Sequence, residues 1–262
     1  MELIGFRKLK ELIDRVDVVL EVVDIRNPLA TQSKLLESLV KRSGRDLILV
    51  LNKCDLVPLW VSKAWSRYFQ QRGYKTVYVS ATKHYGSRYL RRRINELITL
   101  RPATLLVAGF PKVGKSSIIN MLKGKDSAPT SPFPGSHGYT KASQLYRIGQ
   151  DLYLIDTPGI VPPRGDDIEM IIRSRPVESF EDPVPVCVKL INYILSHNPR
   201  AFKQAYGIDS SDPIDILTKL ALKRGWIYKK TKEPNLEEAA RTIIRDYHRG
   251  KIPFYVLPPE PV

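Results

Sequence analysis

As far as residue 160, short apolar runs alternate along the chain with stretches whose apolar positions recur every three or four residues. Leu9, Leu12, Ile13 and Val16 keep helical spacing, and Val18 to Val23 follows as a run rich in β-branched residues and too short for another helix. The same couple returns as Leu35 to Val40 then Leu47 to Leu51, as Trp65 to Phe69 then Thr76 to Val79, and as Leu90, Ile94, Leu97 and Ile98 then Leu105 to Ala108. Strands this apolar, each preceded by a helix, predict an α/β fold with a mainly parallel sheet covered on both faces. Ligands of such sheets bind beyond the C-terminal ends of the strands. Further on, Ser117 to Leu122 predicts a helix, the Pro-, Ser- and Gly-rich stretch Asp126 to Gly138 a mobile loop, and Leu145 to Ile148 and Leu152 to Ile155 two more strands.

From Pro162 the pattern changes. Prolines multiply, β-rich runs vanish, and Val188, Ile191, Ile194, Leu195, then Leu217, Leu220 and Ala221, hold helical spacing. These residues predict a small all-helical domain at 175–262, after a sheet domain at 1–174. Asn235 is placed to cap its last helix, with Glu238 at the third position and Leu236, Ala239, Ala240, Ile243, Ile244 and Tyr247 as the buried stripe.

The chain carries a net charge of +15, and the excess is uneven. Residues 1–110 hold 20 basic and 10 acidic side chains, whereas residues 164–262 hold 16 and 14. A field of that sign concentrated on the sheet domain points to a polyanionic partner or serves solubility alone. With only Cys54 and Cys187, neither a disulfide framework nor a cysteine metal site is expected, which fits a reducing compartment. No apolar run approaches a membrane span, and Glu2, Arg7, Lys8 and Glu11 break any signal-peptide core. A cytoplasmic monomer without membrane contact is expected.

Gly109-Phe110-Pro111-Lys112-Val113-Gly114-Lys115-Ser116 fits the eight-residue phosphate loop G-x-x-x-x-G-K-[ST], placed between a strand and a helix as that loop requires. Glycines let backbone N–H groups approach phosphates, Lys115 suits the β and γ oxygens, and Ser116 suits Mg²⁺. Lys112, Val113, Gly114 and Ser117 join them as expected nucleotide contacts. Asp156-Thr157-Pro158-Gly159 follows a strand, offering the Asp156 carboxylate to the Mg²⁺ shell and the Gly159 N–H to a γ-phosphate. Thr140 is the candidate to close on Mg²⁺, and Lys115, Thr140 and Gly159 are the candidate catalytic groups. Asn52-Lys53-Cys54-Asp55 supplies base choice, since a carboxylate accepts two hydrogen bonds from guanine N1 and N2. Ser80, Ala81 and Thr82 end the next strand and complete the guanine pocket. GTP, GDP and Mg²⁺ are the implied ligands.

The base-reading tetrapeptide precedes the phosphate loop, the reverse of the usual order in a GTP-binding domain. With Asp24-Ile25-Arg26-Asn27-Pro28 ahead of these motifs, the chain resembles the circularly permuted GTPases of the YlqF-like ribosome-assembly family. Glu237-Glu238-Ala239-Ala240 and Arg249-Gly250-Lys251 resemble that family's closing helix and its exit. The resemblance implies a P-loop GTPase domain followed by a helical RNA-binding domain. It also implies GTP hydrolysis coupled to binding and release from a pre-ribosomal particle, usually the large subunit, with rRNA rather than DNA as partner.

Three positions depart from common patterns. Lys112 stands where the family has asparagine, and its ammonium is expected to replace a catalytic potassium ion. The segment Pro134 to Thr140 is longer than the family's P-G-x-T. Ile160 stands where Ras-like proteins have a water-orienting glutamine, so slow intrinsic turnover is expected, with a partner, RNA or a nearby residue placing the water; His137 is a candidate, although a loop histidine of this kind is more often simply solvated. Two basic clusters are candidates for RNA contact, Arg88, Arg91 and Arg92 beside Tyr89, and Lys219 to Lys232 around Trp226 and Tyr228, with a solvated helix face and core packing of Trp226 and Tyr228 as the alternative readings. Two other readings stay open: a nucleotide-dependent RNA-binding scaffold with negligible hydrolysis, and a GTPase regulating a protein partner.

Overall fold

A computed structural model of the chain describes residues 3–123, 145–157, 159–160 and 167–260. The expected mobile loop at Asp126 to Gly138, Thr140 and His137 lie outside the described residues. The chain divides into two compact units, Met1–Pro162 with Leu257–Val262, and Pro163–Val256.

The first unit opens with β1 (Leu3–Ile4) and α1 (Phe6–Ile13), then β2 (Val18–Asp24), α2 (Pro28–Thr31), α3 (Lys34–Arg42) and β3 (Asp46–Asn52). It continues through α4 (Leu59–Gln70), β4 (Lys75–Tyr78), α5 (Ser87–Asn95), β5 (Ala103–Ala108), α6 (Lys115–Lys123), β6 (Leu145–Gly149), β7 (Leu152–Asp156) and β8 (Gly159–Ile160). Six strands form one sheet in the order β4-β3-β2-β5-β7-β6, parallel except for the β6–β7 pair. Every residue of β2 is buried, which accounts for its unbroken apolar run. Leu9, Leu12 and Ile13 of α1 and Leu36, Leu39 and Val40 of α3 pack into the same core as the strands. The permutation is visible in the pairing: β2 and β5, adjacent in the sheet, are separated in sequence by β3, β4 and their helices. Outside the main sheet, β1 lies parallel to β8, with Leu3 opposite Gly159 and Ile4 opposite Ile160.

One polar residue interrupts β2. Glu21 is fully buried, and its Oε1 accepts a hydrogen bond from Ser33 N at 2.6 Å. Burial pushes its carboxyl from an ordinary value of 4.5 up to about 8, opposed by the Ser33 N–H. The folded chain therefore keeps a proton that the unfolded chain has lost. This contribution is complete below the unfolded value and is lost as pH rises through the folded one, at up to ~1.4 kcal/mol per pH unit. Glu21→Gln should flatten the slope of stability between about pH 5 and about pH 8, read from urea midpoints across that range.

The second unit holds α7 (Ile168–Ser174), α8 (Val184–His197), α9 (Ala201–Tyr206), α10 (Pro213–Lys223) and α11 (Leu236–Arg249). It starts upstream of the expected boundary at 174/175, because Ile168 and Ile172 of α7 belong to the helical core. Asn235 caps α11 by accepting from Glu238 N at 3.0 Å, as its spacing predicts. Trp226 packs against this core and Lys223 donates to Tyr206 O at 2.6 Å, while Lys219 pairs with Asp215. Much of the second basic cluster is thus structural, leaving Tyr228 and Lys229 to Lys232 on the exposed turn before α11.

Candidate functional site

At the C-terminal ends of the parallel strands, three loops distant in sequence are tied together by named side chains. β5 runs into the phosphate loop, and α6 begins at Lys115. Gly109 has φ +145 and passes so close to β2 that a Cβ would lie 2.4 Å from Val22 O. At Gly114, φ is +101 and a Cβ would meet Asn52 Nδ2 at 2.3 Å. Both positions demand glycine on conformational and on steric grounds. Lys115 is folded over the loop, its Nζ donating to Gly109 O at 3.1 Å and Phe110 O at 3.0 Å.

The base-reading segment reaches the same place from β3. Asn52 is buried, and its Nδ2 donates to Val113 O at 3.0 Å while its Oδ1 accepts from Ala81 N at 3.2 Å. One amide therefore joins the phosphate loop, the base-reading loop and the Ser80-Ala81-Thr82 segment. Lys53, with φ 67, sends its Nζ to Lys112 O at 3.0 Å and to Asp24 Oδ2 at 2.8 Å. Cys54 N donates to Val79 O at 3.0 Å, which holds the turn that presents Asp55 to solvent. Asn52 is thus engaged in structure, and Asp55 is a carboxylate left facing outward. Ser80 and Ala81 are buried and Thr82 is exposed.

Behind Lys53 stands an ion network that sequence reading left without a role. Asp24 ends β2 in register with Asn52 of β3. Both Asp24 and Arg26 are buried, and Arg26 binds the carboxylate with two nitrogens, Nε at 3.0 Å and Nη2 at 2.7 Å. Arg26 thereby fixes the oxygens that receive Lys53. The available signal was an acid at the end of an apolar strand two residues before an arginine, a spacing suited to a local bidentate pair.

Asp156 and Gly159 approach from β7 and β8. Burial raises the Asp156 carboxyl, and the charge of Lys115 opposes that rise most strongly, which places the two groups in each other's field. Thr157 Oγ1 donates to Val107 O at 2.8 Å, and Ile160 N donates to Gly109 O at 3.1 Å. Ile160 is buried and offers no group to water. Positive φ at Gly109, Lys112 and Gly114 turns the loop around the start of α6, a form suited to phosphates. Ser116 is exposed and Asp156 half-buried, and among the described residues no group of three His, Cys, Asp or Glu forms a metal cage. Few protein oxygens beside phosphates is how Mg²⁺ is held, so the residues fit that ion.

The expected Arg88, Arg91, Arg92 face is largely taken up internally. Arg91 donates to Ile148 O at 3.0 Å and to Leu122 O, and Arg92 and Arg93 both pair with Glu96. Arg88 remains exposed with no ion pair among the described residues.

A family model described as RsgA GTPase matches residues 6–163. An uncharacterized GTP-binding protein of Methanocaldococcus jannaschii is 35% identical over 249 residues, covering 94% of this chain and 65% of that protein. Nucleolar GTP-binding protein 2 of Saccharomyces cerevisiae is 35% identical over 268 residues, covering 97% of this chain and 53% of its own length. The chain thus spans between about half and two thirds of these relatives. Among solved structures, GNP-bound YlqF from T. maritima superposes with a TM-score of 0.68 at 26% identity, covering 98% of both chains. A GDP-bound YlqF structure matches with the same TM-score at 25% identity. A matched family model covering most of the sheet unit, carried by a phosphate loop and a base-reading loop joined through Asn52, establishes that the chain belongs to the RsgA GTPase family.

Proposed function

We propose that the chain is a GTP-binding and GTP-hydrolysing switch that associates with a pre-ribosomal particle, that of the large subunit, through RNA. The observation that supports this reading is the tie of Asn52 and Lys53 to Val113 O and Lys112 O, which holds the base-reading and phosphate loops side by side. Asp55 selects guanine, while Ser80, Ala81 and Thr82 border the ring. Lys112, Val113, Gly114, Lys115, Ser116 and Ser117 hold the phosphates. Ser116 and Asp156, with Thr140 assigned from the sequence alone, would hold Mg²⁺, which when bound would supply positive charge to the β and γ oxygens. Gly159 senses the γ-phosphate through its N–H, and β8 conveys that contact to β1 by direct pairing. Lys115, now on two loop carbonyls, is the group that moves onto phosphate oxygens.

The ribosomal part rests on the motif resemblance and on the +15 charge. Since the relatives include proteins named nucleolar, the place of action follows wherever subunits are assembled rather than the cytoplasm as such. The burial of Ile160 supports slow intrinsic turnover that a partner accelerates. Sedimentation with purified ribosomal subunits tests the reading. Association should differ between a nonhydrolysable GTP analogue and GDP, and should fall steeply with salt. Equal association in both nucleotide states would remove the switch, and phosphate release unchanged by subunits would favour a scaffold.

A further inference from the structure

β4 is an edge strand of the sheet, and beside it lies a cavity of about 560 Å³ that the nucleotide site does not use. It is walled by β4, by α4 through Ser66 and Gln70, and by the segment His84 to Tyr89 that leads into α5. Three phenol rings, from Tyr78, Tyr85 and Tyr89, line it together with His84 and Arg88, and no carboxylate does. Tyr85 and Tyr89 are 52% and 53% exposed, more than ring burial alone would leave. Their setting is rigid. Ser80 and Tyr85 exchange backbone hydrogen bonds at 3.1 and 3.0 Å, and Gly86 turns at φ +80 where an added Cβ would lie 2.9 Å from Tyr78 O. Arg88 is the guanidinium of its helix left with neither an ion pair nor a hydrogen bond among the described residues.

The chemistry of this wall selects its occupant. Exposed rings held on a fixed turn stack planar ligands at little ordering cost, a lone guanidinium beside them suits a phosphate, and the absence of carboxylates suits a polyanion. A peptide strand added to the β4 edge would use main-chain groups and would need neither exposed rings nor a phosphate ligand. The unit that carries the cavity also holds most of the positive charge, 20 basic against 10 acidic side chains in residues 1–110. We propose that this cavity is a stacking site for an unpaired base of single-stranded RNA, with Arg88 at the adjoining phosphate. The proposal deepens the RNA-binding reading above and rests on it for the class of partner, but it assigns the contact to the sheet unit.

The test is anisotropy of fluorescein-labelled, unstructured oligouridine and oligoadenine of about a dozen residues with the full chain, alongside crosslinking by 4-thiouridine. Tyr85→Ala and Tyr89→Ala should each weaken binding roughly five- to hundredfold, with Tyr→Phe at either position close to wild type. Arg88→Gln should weaken both oligonucleotides alike and lower the salt slope by about one. Guanine-nucleotide affinity and melting temperature should stay at wild-type values in all these variants, which separates the cavity from a folding defect. The crosslink should map to Tyr85 or Tyr89. Wild-type RNA affinity in the Tyr85→Ala/Tyr89→Ala double variant would overturn the site while leaving the RNA reading intact. No RNA affinity in the wild type beyond that of an unrelated basic protein would overturn both. Competition of RNA by an extended uncharged peptide, with rings dispensable, would reassign the edge to a peptide.

Discussion

Asp55→Asn should exchange guanine for xanthine nucleotides. A carboxylate accepts from both N1–H and the N2 amine of guanine, whereas an amide accepts once and donates once. Its donor then opposes the N2 amine, and two charge-assisted hydrogen bonds worth about 1.5–3 kcal/mol each are lost. GTP and GDP affinity should fall by roughly 10²- to 10⁴-fold. Xanthine carries a carbonyl oxygen in place of that amine and matches the amide, so xanthosine diphosphate should bind the variant well and the wild type poorly. The fold should be indifferent, because Asp55 is exposed and the ties of the site run through Asn52 and Lys53. Calorimetry with both diphosphates measures the exchange. A variant that still prefers GDP, at wild-type affinity, would place base choice elsewhere.

The second large effect is expected at Asp24. Asp24→Asn removes the carboxylate shared by buried Arg26 and mostly buried Lys53. Breaking a buried charge network from one side costs about 3–5 kcal/mol, which in a domain of this size lowers the melting temperature by roughly 6–20 °C. Nucleotide affinity should fall as well, since Lys53 reaches Lys112 O only while Asp24 holds its ammonium. Arg26→Met on the Asp24→Asn background should recover part of the stability by removing the stranded cation, but should not restore nucleotide affinity. Thermal melts of the single and double variants, with GDP titrations on each, distinguish the two roles. A single variant that melts as wild type would mean that the pair carries no net stability.

These residues also show what the sequence makes legible. The central strands β2, β3 and β5 were readable because a parallel sheet buried on both faces demands continuous apolar runs, as in Val18 to Val23, which no short amphipathic helix imitates. The phosphate loop was readable because its glycines answer to backbone geometry, seen at Gly109 and Gly114. Side-chain direction was not. Arg91 stands at helical spacing with Arg88, yet it turns onto carbonyls of Ile148 and Leu122, residues that only the fold brings near. Trp226 among lysines reads as a stacking surface until the helical core claims it. β1 and β8 are two residues each, too short for any period to register, and the unit boundary before α7 depends on packing by Ile168 and Ile172 rather than on composition.

The amide of Asn52 explains why such a domain survives having its sequence order rearranged. Its two partners lie 61 and 29 residues away along the chain, so the span from ring to phosphates is fixed by bolts through space, not by the order of synthesis. Evolution was free to move the ends of the polypeptide to any seam that no such bolt crosses.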